Sequence, residues 1–284
     1  MGTTIRSAKA KAASWDVFAD VDVFVDTVVA EVGAMPVAGR RRPPKPPLTG
    51  EALRKAVMAI WCVAFCGMPW RAIARLSGVP FPTLFTLFAK WTRLGLWRRL
   101  LDRLIADWRR AGGDGDAPTA VVIDSRSCRS APTCGDRGID GGKKIRGVKL
   151  PLAVDKHGLP LAIDVSPGNV HDAKGILPVL GILAGRGFRG AALGDLSYRG
   201  QKLAAAAAKL KITVEAVAGG CGGTFIPEGI RWVVERSFAW ISRYRRLNTI
   251  FERTKEHLIA FVEIAFISIL SRRLARLETE RRAA

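Results

Sequence analysis

The sequence predicts an α/β protein in which a mixed sheet flanked by helices follows an all-α N-terminal region. Three observations predict this. From Thr49 to Arg110 the apolar residues recur at helical spacing. The stretch Ala111-Gly112-Gly113-Asp114-Gly115-Asp116-Ala117-Pro118 then breaks the composition. Beyond it, short β-branched and apolar runs alternate with helical ones, the pattern of a sheet with helices packed on it.

In chain order, Ser14 to Ala34 alternates acidic and apolar residues and reads as a short helix. Arg40-Arg41-Arg42-Pro43-Pro44-Lys45-Pro46-Pro47 is too proline-rich for a helix or strand interior, so it reads as a stiff linker or an arm along phosphates. Thr49-Gly50-Glu51 opens a helix with Leu53, Val57, Ile60 and Ala64 on one face. Trp70 to Ser77, a turn at Gly78-Val79, and a second helix entered at Pro82 suggest a helix-turn-helix unit packed through Ile73, Ala74, Val79 and Leu84. A further helix, Leu96 to Arg110, turns Leu100, Leu101, Leu104 and Trp108 inward, and Trp70, Trp91, Trp97 and Trp108 read as core.

Past the break, Thr119 to Ile123 reads as a strand that ends on Asp124. Val148 to Val154 and Leu159 to Val165 form a hairpin about Asp155-Lys156-His157-Gly158. A helix near Ala173 to Leu183 precedes a strand, Gly190 to Leu193, that ends at Gly194-Asp195. Gln201 to Leu210 is helical, Ile212 to Val217 is a strand, and the chain is mostly helical from Ile230. His171 with Asn169 reads as a cap on the helix after it, rather than as an acid–base pair with Asp172.

Charge narrows the function. There are 45 Lys and Arg against 25 Asp and Glu, a net charge of +20, and such an excess concentrates polyanions, nucleic acid first among them. The cysteines Cys62, Cys66, Cys128, Cys134 and Cys221 lack disulfide or zinc spacing and read as core thiols in a reduced, cytoplasmic setting. Met1 to Ala13 has no signal-peptide apolar stretch, and Leu258 to Leu270, interrupted by Glu263, is too short to span a bilayer.

The chemistry lies with acids at strand ends, where rigid strands meet open loops. Asp124 and Asp195 stand at two such ends, with 70 residues between them. Glu235 follows after 39 more, on a helix whose Val234, Phe238 and Ile241 form a buried stripe beside it. Carboxylates are hard oxygen donors suited to Mg²⁺ or Mn²⁺. Two such ions, roughly 3.5–4 Å apart, activate an oxygen nucleophile and stabilise the leaving oxygen in phosphodiester displacement. On spacing alone, three acids among 25 remain one choice of many.

The stretch Arg231-Trp232-Val233-Val234-Glu235-Arg236-Ser237-Phe238-Ala239-Trp240-Ile241, followed by Arg243-Tyr244-Arg245-Arg246-Leu247, resembles the third-carboxylate signature of bacterial insertion-sequence DDE transposases, most closely the insertion-sequence-five type. Ile123-Asp124-Ser125 resembles that family's first-aspartate strand and Asp195-Leu196-Ser197-Tyr198 its second. Gly158-Leu159-Pro160-Leu161 through Pro167-Gly168-Asn169-Val170-His171-Asp172 is similar to the segment between them. The likeness runs from about residue 40 to residue 255. It departs at Arg199, where Asp is frequent, and at Glu228 and Ser242, which hold the places of a tyrosine and a lysine.

The resemblance implies an RNase H-like core behind a helical DNA-binding region. It makes Asp124, Asp195 and Glu235 both the catalytic residues and the ligands of two Mg²⁺ or Mn²⁺ ions. It also implies terminal inverted repeats and target DNA as substrates, a homodimer or larger synaptic complex, and a nucleoid setting. Arg231 reads as a phosphate clamp, or as an i,i+4 partner of Glu235. Arg236, Arg243 and Arg246, with Lys143, Lys144, Arg146 and Lys149, read as DNA-backbone contacts.

The expected division is an extension with a basic arm (1–48), a helical DNA-binding domain (49–110), a linker (111–118), a catalytic domain (119–275) and a basic tail (276–284). The expected function is metal-dependent DNA cleavage and strand transfer by a transposase. A non-catalytic DNA-binding regulator, or a nuclease without strand transfer, would share most of these features.

Overall fold

The computed structural model describes residues 17–35, 48–115, 117–217 and 228–283, with side chains from residues 21 and 232 onward in the first and last of these segments. The proline-rich arm, Cys221 and the side chain of Arg231 lie outside the described residues.

Five helices come first: α1 (Val17–Gly33), α2 (Gly50–Cys66), α3 (Trp70–Ser77), α4 (Phe81–Arg93) and α5 (Leu96–Ala111). Gly67 and Gly78 close α2 and α3 with φ of 70° and 71°, the left-handed region that a side chain would disfavour. The axes of α3 and α4 turn by 112° about the short link at Gly78. Ile73, Val79 and Leu84 are buried across that corner, so the expected helix-turn-helix shape is present. Trp91 and Trp97 are core residues, while Trp70 and Trp108 pack half-buried against the same cluster. Among the described residues no single helix is long and apolar enough to cross a membrane.

The sheet contains β1 (Ala120–Ser130), β2 (Gly138–Asp140), β3 (Ile145–Val154), β4 (Pro160–Ile163), β5 (Ser166–Pro167), β6 (Ala191–Gly194), β7 (Thr213–Ala216) and β8 (Thr249–Ile250). Its order is β2-β3-β1-β6-β7, with β4 and β5 also on β3 and β8 on β1. β1 runs antiparallel to β3 and parallel to β6 and β8, a mixed sheet as expected. β1 does not stop at Asp124. Its pairing with β3 continues to Arg129↔Gly147, because an antiparallel partner satisfies its backbone long after β6 has ended.

Alternation along β1 feeds two cores. Val121 and Ile123 join a cluster with Val179, Leu180 and Leu203, from α7 (Leu177–Gly185) and α8 (Gln201–Lys209); the short α6 (Asp172–Gly175) precedes them. Val122 joins the larger cluster on the opposite face, with α9 (Glu228–Ser242) and α10 (Lys255–Ala283).

The large cluster runs unbroken from the helical region to the sheet. α10 is one helix of 29 residues, buried from Leu258 to Ser271 except at Ile259 and packed against α1, α2, α4 and α5. Trp61 donates its indole N–H to Ser268 at 3.0 Å within this contact. The residues expected as a separate tail from 276 therefore continue α10 to Ala283. The described residues after Ala111, Gly112–Gly115 and Ala117–Pro118, lie between α5 and β1, and the core does not divide there. A change in composition marks where the chain turns, not where packing stops.

Two polar links tie the layers. Arg109 and Asp155 form an ion pair at 2.9 Å, with side chains 5% and 0% exposed. Arg109 also donates to the Gly115 carbonyl at 2.9 Å, and Asp155 accepts the N–H groups of His157 and Leu159 in the β3–β4 turn. The end of α5 is thus locked to the hairpin. Near the start of α5, Arg98 and Arg186 share Asp102, and both donate to carbonyls of β4.

Removing one partner of a satisfied buried pair strands the other. Asp155→Ala is expected to lower stability by about 3–5 kcal/mol, read from urea denaturation; a loss under about 1 kcal/mol would show that the pair is not a structural lock.

Glu263 of α10 is 6% exposed and sits near Arg98, Asp102 and Arg186. Burial pushes its pKa from the ordinary 4.5 to about 7, more than the two arginines pull it down. An acid whose pKa is raised by folding contributes fully below its ordinary value, and that contribution is lost as pH rises through the folded one. Wild-type stability is expected to fall between about pH 4.5 and 7 from this group, and Glu263→Gln to remove that fall. Melting temperatures from pH 5 to 8 check it, and parallel profiles would refute it.

Candidate active site

Parallel pairing between β1 and β6 ends at Val122↔Leu193. Past this point the two strands part, and the gap between them is lined by Asp124, Gly194, Asp195, Val217 of the β7 end and Val234 of α9. The two aspartates expected at the site thus face one pocket. Gly194, the last residue of β6, lets the Tyr198 ring close over the strand: a Cβ there would lie 2.6 Å from Cδ2 of that ring.

Asp195 opens the single 3₁₀ turn Leu196–Tyr198 and accepts the Ser197 N–H at 2.8 Å, with the Ser197 hydroxyl donating to the same oxygen. Asp124 accepts the N–H of Ser125 at 2.7 Å. Burial raises the Asp124 pKa to about 6, and the charges of Asp195 and Asp172 push the same way. The Ser125 N–H and the Lys143 ammonium pull it back. A buried carboxyl of this kind is held ionised more readily when a positive charge stands beside it.

Glu235 is placed differently. Val233, Val234, Ser237, Phe238 and Ile241 take the inward side of α9, so the expected stripe is present and Glu235 turns outward to an exposed position. It stands next to Val234, which lines the pocket. Among the described residues no three His, Cys, Asp or Glu side chains gather at metal-binding spacing. The structure brings Asp124 and Asp195 together and leaves Glu235 on the neighbouring helix surface.

The expected basic contacts separate into two groups. Lys143, Lys144, Arg146 and Arg243 are exposed, the first three on the β2–β3 turn and the start of β3, and Lys143 is near enough for its charge to act on Asp124. The others are taken up internally. Lys149 is 8% exposed and pairs with Asp172 at 3.0 Å and Asp140 at 3.8 Å. It faces inward because β3 is covered on both sides, so it leaves the expected DNA surface. Arg246 lies beyond α9 and binds buried Glu252 at 2.7 Å, its guanidinium over the rings of Phe251 and Phe261.

Arg236 is held between Trp232 and Trp240, 4.3 and 4.8 Å from the ring centroids, and donates to the His157 carbonyl at 3.0 Å. Its neighbour in this column is Arg273 of α10, 4.0 Å from Trp240 and 5.7 Å from Trp108. Arg236 is therefore a packing residue and not a free backbone contact.

His171 caps α6 as expected, its Nδ1 accepting the Ala173 N–H at 3.3 Å. Two residues near the pocket were not among the expected site residues: Asp172, paired with Lys149, and Tyr198, buried at 1% exposure. The signal for Tyr198 was its place three residues after Asp195. Asp172 stood out in sequence only beside His171, and its pairing with Lys149 carried no local signal, since that partner lies on β3.

Residues 115–215 match the family model described as the transposase DDE domain, a span that includes Asp124 and Asp195. The fold and the paired acids define the class, an RNase H-like α/β core with an acidic pocket at the parting of two strands. Over 176 residues the chain is also 30% identical to a provisionally named transposase for insertion sequence element IS402 of Burkholderia cepacia, covering 57% of this chain and 75% of that protein. The chain belongs to the insertion-sequence DDE transposases.

The closeness of Tyr198 to Gly194 carries a prediction. Gly194→Ala must push the buried ring or bend β6 ahead of Asp195, and is expected to lower stability by about 1–3 kcal/mol. Urea denaturation measures this, and an unchanged midpoint would mean that the ring yields freely.

Proposed function

We propose that this chain binds the terminal inverted repeats of an insertion sequence, cleaves DNA at the element ends and joins the freed ends to target DNA. One observation carries the reading. Residues 124 and 195, remote in sequence, meet at one pocket in a member of the transposase family, with the helix of Glu235 on its flank.

Asp124 and Asp195, with Glu235, would hold Mg²⁺ or Mn²⁺, and their oxygen donors suit such hard ions. Bound there, the metal supplies Lewis-acid activation for in-line displacement at phosphorus. In that displacement the bond from the attacking oxygen to phosphorus forms as the bond to the leaving 3′ oxygen breaks. The chain's own part is to hold the phosphate in place. Lys143, Lys144, Arg146 and Arg243 offer exposed cations for the DNA backbone, and Arg231, in the glutamate motif, is assigned a phosphate contact. The α3–α4 unit is assigned to DNA binding, with exposed Arg71, Arg75, Lys90 and Arg93. Two element ends must meet, so the working form is a homodimer or a larger complex on DNA.

A second reading has one observation in its favour: among the described residues no three acids gather at metal-binding spacing, as in a DNA-binding derivative that no longer cuts. Incubation with element-end DNA and Mg²⁺ or Mn²⁺ decides between them. Wild type is expected to cleave and to join 3′ ends to a target. Asp124→Ala, Asp195→Ala and Glu235→Ala are each expected to lose at least a hundredfold in cleavage rate, an order set by the charge stabilisation such groups supply, with DNA binding kept. Normal cutting by Asp195→Ala would overturn the triad. Binding without cutting by wild type would favour the derivative, and cutting without joining would favour a nuclease.

A further inference from the structure

Helix α4 turns an apolar stripe to solvent. Leu84, Phe88 and Trp91 bury its inner side. Pro82, Thr86, Ala89 and Arg93, spaced by four, three and four residues, share the opposite side, with Phe85 at its edge. Pro82, Thr86 and Arg93 are exposed, Ala89 is half-buried and Phe85 is 37% exposed. Edge contacts with Trp70 and His257, at 5.7 and 5.8 Å between ring centroids, hold the Phe85 ring in place.

Charge says what covers this stripe. Neither α3 nor α4 carries an acid, and none stands in the chain between Glu51 and Asp102. The exposed cations Arg71 and Arg75 of α3 and Lys90 and Arg93 of α4 surround the corner, and the Arg71 guanidinium lies 5.7 Å from the Phe81 ring. An apolar face with such a rim suits a polyanion that also presents apolar groups.

In a helix-turn-helix unit the first helix crosses the phosphates, and the N-terminal residues of the second meet base edges in the major groove. Here those residues are Pro82, Phe85 and Thr86, with Ala89 one turn on. None can form the paired hydrogen bonds by which Arg, Asn or Gln picks out guanine or adenine. Lys90 and Arg93 stand in the last turn, away from that end. What the stripe offers is methyl and ring carbon. Thymine shows a C5 methyl in the major groove, and Ala, the Thr methyl and Phe are side chains that pack on it.

We propose that α4 reads thymine methyl groups through Phe85, Thr86 and Ala89, so that the preferred duplex carries thymines where this stripe enters the major groove. This inference rests on the reading of the α3–α4 unit as a part that binds DNA.

The test uses the full chain without metal and a pool of duplexes with a randomised centre. Duplexes recovered by wild type are expected to be enriched in thymine. Each thymine is then replaced by deoxyuridine, which lacks only the methyl. Wild type should lose about fourfold in affinity per contacted methyl, the worth of one buried methyl-sized group. Thr86→Ser keeps the hydroxyl but not the methyl, and should abolish the penalty at one thymine while leaving the others. Thr86→Val keeps the methyl and should keep that penalty. The melting temperature of Thr86→Ser should match wild type, since the side chain is exposed.

Recovery without thymine enrichment would overturn the proposal, as would equal affinity for the thymine and uracil duplexes in wild type. So would an undiminished penalty at every position in Thr86→Ser, or a defect confined to self-association in sedimentation, which would make the stripe a protein contact. Binding here needs neither metal nor cleavage. A chain that cuts DNA but is indifferent to uracil refutes the methyl reading alone, whereas a chain that never cuts refutes the transposase reading.

Discussion

The site depends on the register of β1. That strand is held on one side by eight antiparallel pairs with β3 and on the other by three parallel pairs with β6. Side chains alternate between faces with a period of two, so a slip of one residue would move Asp124 off the pocket and put Ile123 into the wrong core. The two apolar clusters oppose such a slip, since Val121 and Ile123 fill one and Val122 the other. The hydrophobic effect, which has no direction of its own, thereby fixes the position of a carboxylate.

The helical layer is bound to this frame through charges as well as apolar contact. The buried Arg109–Asp155 pair fastens the end of α5 to the β3–β4 turn, and the same turn carries the His157 carbonyl that holds Arg236. Through Arg236 the turn reaches the rings of α9, and through Arg273 those rings reach α10. The α3–α4 corner and the acidic pocket are therefore parts of one packed body. A body of this kind holds the distance between a bound DNA segment and the groups that act on it.

Much of this was legible in the chain itself. The hairpin around Asp155–Gly158, the strand before Asp195, the helix at Gln201 and the Val234–Phe238–Ile241 stripe follow from local periodicity and turn chemistry, and each is present. The extent of β1 was not legible, because it is set by how far β3 can follow it. Nor was the fate of the cations. Lys149, Arg236 and Arg246 read as surface charge in sequence, yet their partners Asp172, the His157 carbonyl and Glu252 belong to other segments. The short strands β2, β5 and β8 escaped for a related reason, since two or three residues carry no period.

α10 gives the fold an awkward order of assembly. Helices α1 to α5 come first in the chain, but the surface that covers α1, α2, α4 and α5 belongs to residues from Leu258 onward. During synthesis the early helices emerge with Phe24, Ile60, Phe88 and Leu101 lacking that cover, and more than a hundred further residues must follow before it arrives. Contacts so distant in sequence close slowly, and apolar surfaces that wait for them are prone to the wrong partner. The newborn chain is then the most vulnerable form of this protein, and its yield in the cell should depend on chaperones more than the finished fold would suggest.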